Sequence, residues 1–141
     1  MEYQSRGLRN NNPGNLRHGD QWQGLSAEQT DKSFCQFDSM EYGIRALLKT
    51  MQTYHKKYGI DTIEMIVARW APTNENDTES YINSVAKQTH LDRSKKLFLD
   101  KHPELYLKIA KAIAYHENGK EAKQIPAEVW QKGYELAFNA Q

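Results

Sequence analysis

Only one cysteine is present, Cys35, so no internal disulfide can form and no cage of thiolates can hold a metal. An excess of either charge is also lacking, since 19 Lys and Arg stand against 18 Asp and Glu for a net +1. Dedicated nucleic-acid binders carry a basic surplus, so no nucleic-acid partner is expected. Long apolar runs are missing too. Ile63 to Ala71 is among the longest nearly apolar stretches, well short of the roughly 20 residues that cross a bilayer, and no membrane span is expected. Residues 1–15 are polar and lack the apolar core of a secretory signal, which points to synthesis and folding in a bacterial cytoplasm. His18, His55, His90, His102 and His116 include no pair at helical metal-ligand spacing, and no glycine-rich phosphate loop appears. Neither a metal nor an organic cofactor is therefore expected.

Hydrophobic residues nonetheless make up 38% of the 141, and aromatics 11%. That supply supports a small core held by packing, in a single domain spanning 1–141. The texture changes near residue 38. Before it, Gly7, Gly14, Gly19, Gly24 and Pro13 punctuate a polar stretch that favours turns. Phe34 to Phe37 reads there as a short strand paired near Trp22. After it the apolar spacing becomes helical. Ile44, Leu47, Leu48, Met51, Tyr54 and Tyr58 recur at three- and four-residue steps as a core-facing stripe, with Gly59 placed to close the helix. Asp61 with Glu64 forms a capping box for a second helix, which buries Ile63, Ile66, Val67 and Trp70 and stops at Pro72. A third helix starts near Asp77 or Thr78 and buries Tyr81, Ile82 and Val85. A fourth begins at Pro103 and runs toward Gly119, and a last one starts at Pro126. The expected fold is mainly α-helical, with an irregular N-terminal lobe holding a short β-hairpin.

Three polar segments are candidates for chemistry. Arg6 to Arg17 gathers three arginines with Asn10, Asn11, Asn12 and Asn15 around Pro13-Gly14. It reads either as a surface turn or as a rigid loop presenting amides and guanidinium groups to a polar ligand such as a sugar. Arg69 to Tyr81 reads either as a helix cap with its solvated loop or as a carbohydrate-facing set of Trp70, Asn74, Glu75, Asn76 and Tyr81. Aromatic faces in such a set stack on pyranose rings and amides bind hydroxyl groups. In Ala112 to Gly119, Glu117 falls in the last turn of an apolar helix, where the helix dipole already places negative charge. That setting raises a carboxyl pKa, as a general acid for glycoside cleavage requires. The alternative is a solvated helix end.

Taken together, these blocks resemble small phage and prophage proteins described as virion structural proteins. The blocks are Arg6 to Arg17, Trp22-Gln23-Gly24, Phe34 to Phe37, Gly43 to Ala46, Arg69 to Pro72, Glu75 to Thr78, Tyr81-Ile82 and His116 to Gly119. A second resemblance is to the lysozyme and lytic-transglycosylase superfamily, whose catalytic glutamate ends a helix and is followed by a small residue, as in Glu117-Asn118-Gly119. Pro13 to Leu16 is similar to that superfamily's Asn-Leu-Phe-Gly loop, and Trp70 to Asn74 to its Ala-Tyr-Asn-Ala-Gly loop. The glutamate helix comes last here rather than first, as in a circularly permuted domain.

The resemblance implies a lysozyme-like domain that cleaves the glycan strands of peptidoglycan, as a muramidase or lytic transglycosylase. Glu117 would be its general acid and base. Glu75 is nominated as a second carboxylate for an inverting reaction, about 6.5–9.5 Å from the first. Glu75 or Glu41 would take the catalytic role in an unpermuted fold. Asn12, Asn15, Trp22, Asn74 and Tyr81 would line the glycan groove, and Arg9 and Arg17 would meet peptide-stem carboxylates. The alternative is a non-catalytic virion structural or peptidoglycan-binding protein that meets other virion proteins. In either case the protein would act in the phage particle or at the cell wall.

Overall fold

The architecture follows from five amphipathic helices that form close to where their apolar spacing predicts them. A computed structural model describes residues 2–73 and 77–139. A one-turn helix α1 (Arg6–Arg9) is followed by α2 (Met40–Tyr58), α3 (Ile63–Trp70), α4 (Thr78–Thr89), α5 (Glu104–Asn118) and α6 (Ala127–Phe138). A 3-10 turn (Gly119–Gln124) joins the last two. The chain is mainly helical, as expected.

Local chemistry sets the helix ends. Ser39 accepts a hydrogen bond from Tyr42 N at the start of α2, and Gly59, at φ 69°, closes it by donating to His55 O. Asp77 caps α4 by accepting from Ser80 N. Pro103 and Pro126 directly precede α5 and α6, where a missing N–H costs nothing. α3 is capped by Thr62, which accepts from Met65 N, and not by the expected Asp61. Asp61 is buried and faces the other way. Its carboxylate takes the backbone amides of Phe98 and Leu99, anchoring the 91–103 connection.

α5 runs through the middle of the core. Ile109, Ala110, Ile113 and Ala114 are fully buried, and the helix packs on α1, α2 and α4. Ile44, Leu47, Leu48 and Met51 of α2 join them, as do Ile63, Ile66 and Val67 of α3 and Val85 of α4. Each such aliphatic side chain contributes about 1.5–3 kcal/mol by leaving water. α6 lies close against α2 because Gly133 presents no side chain. A Cβ there would come 2.4 Å from Ile44 Cγ2.

Two expectations change. Tyr58, placed in the core by spacing, is 47% exposed at the last residue of α2. The segment 34–37 forms no hairpin; it makes isolated bridges on both sides, Arg17 with Phe34 and Leu25 with Phe37. Cys35 N donates to Leu16 O and Ser26 N to Gln36 O, so the segment is held between two neighbours. A second, smaller apolar cluster of Cys35, Phe37 and Ala46, with Leu16, Trp22, Leu25 and Tyr42 against it, lies beneath. Among the described residues, no helix is long and apolar enough to cross a membrane.

Candidate functional site

The asparagine-rich loop is rigid because its amides bond to its own surroundings. Asn12 is fully buried. Its Oδ1 accepts from Leu16 N, and its Nδ2 donates to Leu16 O and Cys35 O. Asn12 was expected to line a glycan groove, but every bond it makes is internal, and it acts as the loop's bracket. Asn11 (φ 54°) and Asn15 (φ 52°) occupy the left-handed region, which asparagine tolerates better than most residues. Asn118, after the last turn of α5 has formed around it, donates to Pro13 O and Ala114 O and accepts from Ser5 Oγ. The loop and the end of α5 are thereby clamped together.

That clamp delivers Asn15 to Glu117. Asn15 Nδ2 donates to Glu117 Oε1 at 2.8 Å, and the Tyr81 hydroxyl donates to Glu117 Oε2 at 2.8 Å. The carboxylate is half-buried, held at both oxygens and still open to solvent on one side. Tyr81 is only 2% exposed, buried on α4 as its helical spacing predicts, so its ring offers no face to a sugar of the kind the carbohydrate-facing reading needs. It contributes a hydroxyl instead. Burial first, then the charge and hydrogen bond of Glu117, push its phenol far above the ordinary value. His116 stacks on the Tyr81 ring with centroids 3.7 Å apart. Burial lowers its imidazole pKa while the neighbouring Glu117 opposes the shift. The result is a stacked aromatic pair backing a carboxyl group with two donors.

The remaining expected residues lie elsewhere. Trp22 is half-buried on the second apolar cluster. It lines a cleft of about 520 Å³ with Leu16, Arg17, Tyr54, Tyr58 and Arg69 among its walls. This cleft adjoins Asn15 through the continuous chain Asn15-Leu16-Arg17. Arg9 is exposed and opens onto a different hollow, beside Glu28 and Gln36. Asn74, Glu75 and Asn76 lie outside the described residues. Glu41 sits in the first turn of α2, where negative charge complements the helix dipole. Its backbone carbonyl faces Gly133 of α6.

Three contributors escaped the reading of the sequence: His116 as the stacking partner, Asn118 as the clamp, and Gly7. A Cβ on Gly7 would come 2.6 Å from Asn118 Oδ1 and 2.7 Å from Asn15 Oδ1. Their signal was present in the repeated Asn and Gly of two distant blocks, but nothing local says that those blocks meet. Among the described residues, no group of three or more His, Cys, Asp or Glu is arranged to hold a metal ion.

No protein-family model matches the chain. It is 41% identical over 138 residues to protein P5 of Pseudoalteromonas phage PM2, an alignment covering 95% of this chain and 82% of that protein. The shared length includes both halves of the Asn15–Glu117 contact. The chain belongs to the phage protein family represented by protein P5 of phage PM2.

Proposed function

We propose that the protein cleaves the glycan strands of peptidoglycan, with Glu117 as the general acid and base. The observation that carries this reading is the setting of Glu117: a half-exposed carboxylate ending a buried helix and fixed by Asn15 and Tyr81. The chain's membership in a phage family supports it, because a phage must pass the bacterial wall. So does the resemblance of Glu117-Asn118-Gly119 and Pro13 to Leu16 to the lysozyme and transglycosylase superfamily, in permuted order.

Protonated Glu117 would give its proton to the glycosidic oxygen as the C–O bond breaks. The sugar's own C6 hydroxyl would then attack the anomeric carbon and return a proton to Glu117, leaving an anhydro sugar. The donors on Asn15 and Tyr81 hold the carboxylate in place throughout, and orientation of this kind is a large part of such catalysis. This route uses a single carboxylate.

Purified protein incubated with cell walls should release soluble muropeptides, and Glu117→Gln should reduce release by about a hundred-fold or more. Unchanged release in that variant would remove Glu117 from the chemistry. Absence of release by the wild type, with retention on insoluble peptidoglycan, would instead establish a non-catalytic wall-binding or virion protein.

A further inference from the structure

The 520 Å³ cleft beyond the loop has an unusual arrangement of charge. Tyr58, exposed at the end of α2, is flanked by two cations. The Arg69 guanidinium lies 4.1 Å from its ring centroid and Lys57 Nζ lies 5.6 Å away. Arg69 also sits 5.6 Å from the Tyr54 ring. Like charges gathered on one ring repel each other unless an anion joins them. Among the described residues no carboxylate pairs with Lys57 or Arg69. A guanidinium stacked on a ring keeps its N–H edge free for a planar two-oxygen acceptor. The lining also includes Trp22, whose indole Nε1 is buried with no hydrogen-bond partner among the described residues.

We propose that this cleft binds a carboxylate of the peptide stem carried by the glycan, with Lys57 and Arg69 as the anion site and Tyr54 and Tyr58 as its apolar backing. The inference rests on the glycan-cleavage reading and moves the peptide stem from Arg9, which opens onto a different hollow, to the cleft that Arg17 helps to wall. Location favours it. Leu16 and Arg17 wall the cleft, and the next residue back, Asn15, holds Glu117. A glycan strand at Glu117 would therefore have its side branch beside the cleft. Asp20, also in the lining, disfavours a polyanion and leaves room for a single carboxylate.

Soluble disaccharide fragments with and without a tripeptide stem, and the free tripeptide, should be titrated against the full chain. The stem should tighten binding about ten-fold, the scale of one charge-assisted hydrogen bond. The double variant Lys57→Glu with Arg69→Glu should erase that advantage while leaving affinity for the bare disaccharide within about two-fold, since both side chains are exposed and thermal melting should be little altered. An equal affinity of the wild type for the two fragments, or an advantage that survives the double variant, would overturn the proposal. Glu117→Gln separates the two readings. If it abolishes glycan release but keeps the stem advantage, both stand. If wild-type protein releases nothing yet the free tripeptide still binds in a Lys57- and Arg69-dependent way, the cleft stands and the cleavage reading fails.

Discussion

Asn15 donates to Glu117 across 102 residues of sequence, joining a left-handed loop position to the last turn of α5. The pair couples backbone strain to the orientation of a carboxylate, and two substitutions separate these effects. Asn15→Ala loses the hydrogen bond and also puts at φ 52° a residue that tolerates the left-handed region less well than asparagine, costing about 2 kcal/mol in total. Asn15→Gly loses the bond but not the conformational fit. Under the proposed cleavage, muropeptide release should fall equally in both, while thermal unfolding should show Asn15→Gly as the more stable. Activity that tracked stability instead would mean that the amide has no role beyond folding.

Tyr81 approaches the same carboxylate from α4, and its buried ring makes Tyr81→Phe a clean deletion of one hydroxyl. The ring and its stack on His116 remain, so the cost in stability should be near 1 kcal/mol, or a few degrees in melting temperature. Glu117 keeps one donor, and solvent reaches its other oxygen. Under the proposed cleavage the expected kinetic signature is a fall in kcat of about ten-fold with KM nearly unchanged, because the lost contact would orient the proton-donating carboxyl without touching substrate. A rise in KM alone would place Tyr81 among the binding residues.

Asp31 organises the N-terminal lobe. Its carboxylate takes the Arg6 guanidinium, the amides of Ser33 and Phe34, and Asn10 Nδ2. Arg6 first, then those amides, hold its pKa well below the ordinary 3.8. A folded-state pKa that is depressed means that the unfolded chain binds the proton first as acid is added. The contribution is therefore complete above pH 3.8 and is lost as the pH falls below it. Glu121, bonded to the amides of Gln4 and Ser5, shifts in the same direction. Asp31→Asn should lower the melting temperature at neutral pH and converge on wild type in acid. A gap that stayed constant with pH would show that shape, not charge, carries the effect.

What the sequence disclosed and what it withheld have physical causes. Helices α2 to α6 were readable because burial on one face imposes a 3.6-residue spacing on Ile44, Leu48, Ile66, Val85 and Ile113, and because Gly59 and Pro126 mark ends by local geometry alone. The α3 cap went to Thr62 because Asp61 was recruited by two amides nearly forty residues away, a tertiary demand without a local trace. Glu117, Asn15 and Tyr81 were each singled out, yet their types alone did not assign their parts. Tyr81 carries two sequence readings, a buried helix position and a stacking surface, because spacing and a neighbouring polar loop point in different directions; burial wins and leaves only the hydroxyl at work. The loop at Asn12 looked like a ligand surface for a related reason. A polar side chain fully satisfied by backbone groups and one reaching for a ligand have the same letter.

Gly43 ties this loop to the core and offers the sharpest test of its rigidity. A Cβ added there would sit 1.7 Å from the carbonyl oxygen of Asn11 and 3.1 Å from Pro13 Cδ. The carbonyl belongs to backbone that Asn11 fixes through its bond to Phe37 O and that Asn12 fixes from the other side. It cannot swing away without moving the loop off α2. Gly43→Ala should therefore cost about 3 kcal/mol or more, in the range of severe overpacking, and should displace Asn15 from Glu117. Gly59→Ala is the matched control. Its Cβ meets no atom within 4 Å, so only the left-handed φ of 69° is penalised, about 1 kcal/mol. Chemical denaturation of the two variants should rank them in that order, and under the proposed cleavage muropeptide release should be lost only in Gly43→Ala. Equal effects would mean that the loop yields, and that Asn15 is not held by its contact with α2.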